Sequence, residues 1–98
     1  IENSAETGRY FKELLFQLKE KHKIVREVRG LGLMLALELR FDVRNILMDG
    51  ISNGILMLYS GRNIIRLLPP LSIDREMVLK FVTTLDRLLS LEEEKRSV

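Results

Sequence analysis

Residues 61–71, GRNIIRLLPPL, constrain the possible folds of this chain more than any other stretch. A glycine-containing turn is followed by a short apolar run and then by two prolines. Because proline cannot donate to a β-ladder, the pattern predicts a strand over 64–68 that ends at the prolines. Side chains of a strand alternate between its faces, so Arg66 is expected to share a face with Ile64 and Leu68.

Arg66 is a charged residue inside this apolar run. A buried charge without a partner costs several kcal/mol, so the guanidinium must reach water or bind an anion. Two interpretations follow from the residues alone. In the structural one, Arg66 lies at a sheet edge or pairs with a carboxylate such as Glu38. In the functional one, Arg66 contributes to a binding site.

Apolar periodicity in the rest of the chain predicts three helices and three more strands. Helices are predicted from Asn3 to the basic cluster at 19–23, from Asp42 to Asn53–Gly54, and from Asp74 toward a charged tail at 92–96; strands are predicted over 24–28, 33–39 and 55–59. Hairpins with helices returning across one face form a two-layer sandwich. The predicted fold class is therefore α+β, with an antiparallel sheet of three to four strands and the helices packed on one face.

Several stretches carry more specific expectations. The run 33–39 is apolar on both faces, which predicts a central strand covered at least partly on both sides. Gly30 and Gly32 precede it, and they predict a bulge or bend with close backbone approach rather than a phosphate loop, since a strand follows. His22 lies in a charged stretch and is expected to be solvated at a helix end. The tail 92–96 is expected to be frayed.

Composition excludes several classes of protein. With 98 residues the chain is expected to form a single domain, 1–98, and its 46% hydrophobic content excludes a disordered chain. No apolar run approaches the ~20 residues of a membrane span, so no membrane partner is expected. Basic residues are interspersed with acidic ones and lack an aromatic platform, which argues against a nucleic-acid partner. The absence of cysteine excludes disulfides and thiolate metal sites, and it suits a reducing cytosol.

Four motifs, taken in order, resemble a known family. They are residues 25–34, VREVRGLGLM; Glu38-Leu39; Asn53-Gly54-Ile55-Leu56; and residues 63–71, NIIRLLPPL. As a set they are similar to the C-terminal small domain of class III pyridoxal-phosphate aminotransferases, above all the acetylornithine and acetyl-lysine aminotransferases. Ornithine and 4-aminobutyrate aminotransferases are near relatives within that resemblance.

The resemblance implies part of a cytoplasmic homodimeric enzyme with pyridoxal phosphate as its cofactor. The reaction would transfer the terminal amino group of an acetylornithine- or acetyl-lysine-like donor to 2-oxoglutarate, in arginine or lysine biosynthesis. The catalytic lysine and the cofactor-binding residues would belong to a large domain that this chain does not contain. No catalytic, cofactor-binding or metal-binding residue is therefore expected here. Arg66 alone matches an active-site position, where it would bind a substrate carboxylate or a glutamate.

Two hypotheses of different classes remain open. The chain, which begins with Ile1, is either part of such an aminotransferase or a free-standing α+β interaction or ligand-binding module. In the first case its partners are the rest of the polypeptide and the homodimer mate. The apolar surface that faces them is expected on the first helix, around Tyr10 and Phe11.

Overall fold

The computed structural model describes residues 2–31, 34–43, 55–61 and 63–97. In chain order the elements are the helix α1 (Glu2–Lys21), the strands β1 (Val25–Leu31), β2 (Met34–Leu39), β3 (Leu56–Tyr59) and β4 (Ile64–Leu68), and the helix α2 (Arg75–Arg96). The helix predicted from Asp42 to Asn53–Gly54 lies outside the described residues from position 44 onward. The first helix, predicted to start at Asn3, begins one residue earlier, at Glu2.

The four strands form one antiparallel sheet in the order β1-β2-β4-β3. β1 and β2 form one hairpin, in which Leu31 pairs with Met34, and β3 and β4 form the second. The second hairpin turns through Gly61 and Asn63, whose φ angles of 70° and 65° lie in the left-handed region. Glycine and asparagine tolerate that region better than other residues. Pairing of β2 with β4 joins the hairpins and places both strands inside the sheet.

One core forms between the helices and one face of the sheet. The ring of Phe11 meets the ring of Phe81 edge-on, with centroids 5.6 Å apart, and this contact links α1 to α2. The sheet contributes alternate residues of its strands, among them Leu35, Leu37, Leu39, Ile65 and Leu67. This two-layer arrangement confirms the predicted α+β class. Within the described ranges, neither helix is long and apolar enough to cross a membrane.

The other side of the sheet is its open face. It consists of Arg29 on β1, Met34, Ala36 and Glu38 on β2, Leu56 and Leu58 on β3, and Ile64, Arg66 and Leu68 on β4. On this face of β2, Met34 is 71% exposed whereas Ala36 and Glu38 are half-buried, so the prediction that β2 is covered at least partly on both sides fails at Met34. Leu56 on β3 is 56% exposed. Phe11, expected on an apolar outer surface, is fully buried because it faces the core.

The two ends of α2 differ in how well the sequence predicts them. At the start, Oδ1 of Asp74 accepts from the Met77 N–H at 2.8 Å, as the capping pattern predicts. The prediction that the tail 92–96 is frayed is wrong. Glu92 is 6% exposed and contacts Nε of Arg96 at 3.1 Å, and the Arg96 guanidinium lies 4.6 Å from the Phe41 ring centroid. A cation–π contact of this kind orders the last turn.

His22 joins the end of α1 to α2 and is not solvated as predicted. Its side chain is 2% exposed, with Nε2 2.5 Å from Oδ1 of Asp86 and Nδ1 2.6 Å from Oε1 of Glu93. Asp86 also accepts from Nζ of Lys21 at 2.9 Å, and Glu93 accepts from the Ile24 N–H at 3.0 Å. Carboxylates only accept, so both ring nitrogens must donate for both bonds to form. The residues near position 22 could not predict these contacts, because Asp86 and Glu93 lie 64 and 71 residues further along the chain.

Gly30 lies on β1 opposite Leu35 in a regular register, so it marks a close approach and not a bulge. A Cβ at this position would overlap the Leu35 side chain and lie 2.8 Å from the carbonyl oxygen of Met34. We therefore expect Gly30→Ala to lower the free energy of unfolding by about 1–3 kcal/mol, the cost of overpacking. Urea unfolding followed by circular dichroism measures the change, with the exposed Thr83→Ala as its control. An unchanged unfolding midpoint would contradict the close packing.

Candidate functional site

Arg66 lies near the middle of the open face. Its strand, β4, is an inner strand, and the residue pairs with Ala36 on β2 and with Leu58 on β3. Its side chain is exposed, whereas Ile65 and Leu67 point into the core. The arginine therefore shares a face with the other even-numbered residues of β4, as strand alternation predicts, but it does not lie at the sheet edge.

A cavity of about 240 Å³ lies beside Arg66 on this face. It is lined by Arg29, Gly30, Met34, Leu35, Ala36, Arg66 and Leu68. Two of these residues are cationic, the others are apolar or glycine, and no carboxylate is among them. Guanidinium groups beside apolar walls favour an anion that carries an apolar stem.

Glu38 shares the open face with Arg66 but does not pair with it. Oε1 of Glu38 accepts from Nη2 of Arg29 at 2.5 Å, and its Oε2 lies 3.5 Å from Nε of Arg26. Within the described part of the chain, no carboxylate lies within ion-pair distance of Arg66. The Arg66–Glu38 pair considered from the sequence is therefore not formed. The Arg66 guanidinium keeps donors available for another anion.

Arg29 is a cavity residue that sequence reasoning missed. It lies on β1, and its position relative to Arg66 depends on two successive pairings, of β1 with β2 and of β2 with β4. Each pairing has its own register, and a shift of one residue would turn the side chain to the other face. The alternation within each strand was visible in the sequence, but the two registers were not.

The described residues do not form a complete site for pyridoxal phosphate. Covalent attachment of that cofactor requires a lysine, and a carboxylate usually pairs with its ring nitrogen; neither type is among the described residues that line the cavity. Two of the described lysines are engaged elsewhere: Nζ of Lys12 donates to the Gly30 carbonyl at 2.7 Å, and Lys80 pairs with Glu76 at 3.3 Å. Across the ranges described above, no group of three or more histidine, aspartate or glutamate side chains is arranged so that it could hold a metal ion.

The fold and this face define an α+β domain that can receive an anionic ligand but, in its described residues, lacks the groups for covalent catalysis. The sequence matches the family model for aminotransferase class III over residues 1–89. The chain therefore belongs to the class III aminotransferase family, which confirms the resemblance carried by its motifs.

Similar proteins include enzymes named for two amino donors. The chain is 35% identical over 91 residues to the acetylornithine aminotransferase of Caldanaerobacter subterraneus subsp. tengcongensis, covering 92% of this chain and 23% of that protein. It is 39% identical over 82 residues to ornithine aminotransferase 1 of Staphylococcus aureus strain MRSA252, covering 84% of this chain and 20% of that protein. The chain thus spans less than a quarter of the length of these relatives.

Solved structures of aminotransferases have a similar fold. Ornithine delta-aminotransferase of Plasmodium falciparum superposes with a TM-score of 0.82 at 28% identity, over 96% of this chain and 26% of that one. Acetylornithine aminotransferase of Elizabethkingia anophelis superposes with a TM-score of 0.75 at 30% identity, over 90% of this chain and 24% of that one. The two helices and the four-stranded antiparallel sheet match the superposed quarter of these two aminotransferase structures.

Proposed function

We propose that this chain is the C-terminal small domain of a pyridoxal-phosphate-dependent aminotransferase, and that Arg66 binds the carboxylate of its substrate. The observation that carries the proposal is the exposed guanidinium of Arg66. It borders an apolar cavity and has no carboxylate partner among the described residues of a class III aminotransferase chain. An arginine presents parallel donors that match the two oxygens of a carboxylate.

The proposed reaction moves the terminal amino group of an acetylornithine- or acetyl-lysine-like donor to 2-oxoglutarate. The names of the acetylornithine aminotransferases among its relatives support this donor. Ornithine is the second candidate, because the chain is 39% identical to an ornithine aminotransferase. Both donors and the acceptor carry a carboxylate that an arginine can bind.

The proposed partners are the rest of the polypeptide and a homodimer mate. Pyridoxal phosphate, when bound, supplies the electron sink for amino transfer. The lysine and the ring-nitrogen carboxylate would come from a large domain outside these 98 residues, since neither type is among the described residues that line the cavity beside Arg66. This chain would contribute substrate binding through its open face.

Amino transfer by the full-length protein tests the proposal. The cofactor-loaded protein is assayed with 2-oxoglutarate and, in turn, with acetylornithine, acetyl-lysine, ornithine and 4-aminobutyrate as donors, and glutamate formation is measured. A kcat/KM for acetylornithine or acetyl-lysine that exceeds the others supports the proposed donor. No glutamate from any donor would overturn the proposal and favour a binding module.

The 98-residue chain alone is expected to catalyse no amino transfer. Its described lysines either pair with carboxylates, donate to a carbonyl or lie exposed on a helix or a turn, so none lies in a site that would activate it for covalent chemistry. The chain is mixed with pyridoxal phosphate, a donor and 2-oxoglutarate, and the full-length protein serves as the positive control. Saturable turnover by the chain at a rate comparable to the full-length protein would contradict this expectation.

A further inference from the structure

The strand β1 lies at one edge of the sheet, whose order is β1-β2-β4-β3. In an antiparallel pair, alternate residues point their N–H and C=O groups toward the partner strand, and the residues between them point these groups away. The Val28 N–H and the Gly30 carbonyl both bond to side chains, at 3.1 Å from Oε1 of Glu27 and at 2.7 Å from Nζ of Lys12. Val28 and Gly30 therefore face the outer edge of β1.

Two lysines of α1 hold these contacts in place. Lys12 and Lys19 lie about two helical turns apart, so both project from the same side of the helix. Lys12 bonds to the Gly30 carbonyl directly. Nζ of Lys19 lies 3.0 Å from the same oxygen of Glu27 that accepts from the Val28 N–H. Lysines at a sheet edge are a common means of preventing strand pairing, and here they occupy polar groups that a further strand would need.

Glu27 and Arg29 carry opposite charges on either side of Val28. Hydrogen bonds from Lys19 and from the Val28 N–H hold the pKa of Glu27 below its ordinary value of 4.5, and the charge of Arg29 lowers it further. Alternation along the strand places Glu27 and Arg29 on one face. Their side chains are 44% and 58% exposed, so both can be reached from outside the sheet.

This charge pattern is complementary to itself. When β1 of a second copy runs antiparallel with its Val28 opposite Val28, Glu27 of each copy lies opposite Arg29 of the other. Opposite charges at directly opposed positions stabilise a pair of strands, and like charges destabilise it. The register that places Arg29 opposite Arg29 is therefore disfavoured. Pairing centred on Val28 relates the two copies by a two-fold axis, so the assembly closes as a dimer.

We propose that the outer edge of β1 is a strand-pairing surface for β1 of a second copy of this chain, and that Lys12 and Lys19 hold it closed. Release of the two lysines frees the edge groups of β1 for the second strand. It also releases Glu27 to face Arg29 of that strand. This pairing does not require the site beside Arg66 to bind a substrate, so the inference is independent of the proposed function.

Sedimentation equilibrium of the 98-residue chain, whose core lies between its own helices and sheet, tests this inference. The variant Lys12→Met/Lys19→Met opens the edge and leaves β1 unchanged. We expect it to self-associate roughly tenfold or more tightly than the wild type, because backbone hydrogen bonds and two charge pairs form between the copies. Lys80→Met/Lys95→Met, at exposed positions of α2, is the matched control for the added methionines and the lost charges, and it is expected to behave like the wild type.

Charge reversals in the opened variant test the register. Arg29→Glu places like charges opposite each other and is expected to abolish the added association, and Glu27→Arg is expected to do the same. An equimolar mixture of the two reversed proteins restores opposite charges at these positions and is expected to associate again. Arg87→Glu, the same reversal at an exposed position of α2, is the control and is expected to leave the association unchanged.

Circular dichroism checks that each variant is folded before its association is measured. The inference is overturned if the opened variant associates no more tightly than the wild type, or if the control double variant associates as tightly as the opened one. It is also overturned if Arg29→Glu leaves the association intact or if the mixture of reversed proteins does not associate. Should the opened variant fail to fold, Lys12→Met alone replaces it, and association equal to that of the wild type then overturns the inference.

Discussion

Replacing Arg66 with lysine in the full-length protein is expected to lower kcat/KM for amino transfer by about one and a half to three decades while the domain remains folded. Lysine keeps the charge but cannot offer two parallel donors to a carboxylate. Loss of one such interaction costs about 2–4 kcal/mol of transition-state stabilisation. Steady-state kinetics and the thermal unfolding curve of the same preparation measure the two effects.

Arg87→Lys, at an exposed position of α2, is the control for the arginine-to-lysine change itself. The structural interpretation of Arg66 predicts the reverse pattern, in which the protein is destabilised but kcat/KM for each folded molecule is nearly unchanged. That result would mean that Arg66 holds the fold together and does not bind substrate. The absence of an Arg66–Glu38 pair already removes the specific contact on which that interpretation depended.

Replacing His22 with alanine is expected to lower the free energy of unfolding of the 98-residue chain by about 2–4 kcal/mol. The variant would leave Asp86 and Glu93, whose side chains are 31% and 15% exposed, without the ring that lies between them. Partial exposure lets water solvate these carboxylates, so the cost falls toward the lower end of the range for a fully buried pair. Urea unfolding followed by circular dichroism measures it, with Glu94→Gln on the exposed side of α2 as control.

The cluster of His22, Asp86 and Glu93 also predicts that the free energy of unfolding depends on pH. Burial alone would raise the pKa of Asp86, but hydrogen bonds from His22 and Lys21 outweigh it and hold the pKa below its ordinary value of 3.8. Burial likewise raises the pKa of Glu93, but hydrogen bonds from His22 and the Ile24 N–H bring it below 4.5. A carboxyl whose pKa is lowered by folding stabilises the native state above its unfolded pKa, and this contribution disappears as the pH falls through the lowered value.

The difference in stability between the wild type and His22→Ala should therefore be larger at pH 4.5 than in stronger acid, and it should shrink as the pH falls below 3.8. Unfolding curves of both proteins across this range test it. A difference that stays constant into strong acid would show that the two carboxylates do not depend on His22.

The features that the sequence determined by itself depend on residues close together in the chain. The turn at Gly61 and Asn63, the strand that ends before two prolines, and the cap at Asp74 each require contacts within a few positions. Alternation along β4 placed Arg66 on the other face of the strand from Ile65 and Leu67. The order of the motifs indicated the aminotransferase family. Local geometry suffices for such features because a turn, a cap or the alternation of a strand involves only two to four neighbouring residues.

Tertiary structure decided the features that depend on distant partners. His22 reads as a solvated residue beside lysines, yet α2 brings two carboxylates against its ring. Glu92 reads as part of a frayed tail, yet it is buried beside Arg96. Burial of a charged side chain depends on which element packs against it, and charge patterns along the chain do not specify that element.

In the candidate site, too, some features follow from neighbouring residues and others depend on distant partners. Alternation alone placed Arg66 on a face, but it could not place Arg29 beside the same cavity or assign Glu38 to Arg29 and Arg26. Those relations require the registers of two strand pairs, and each register is fixed by packing of the whole sheet against the helices. The sequence therefore identified Arg66 as the candidate site residue, whereas only the folded sheet decided which side chains surround it.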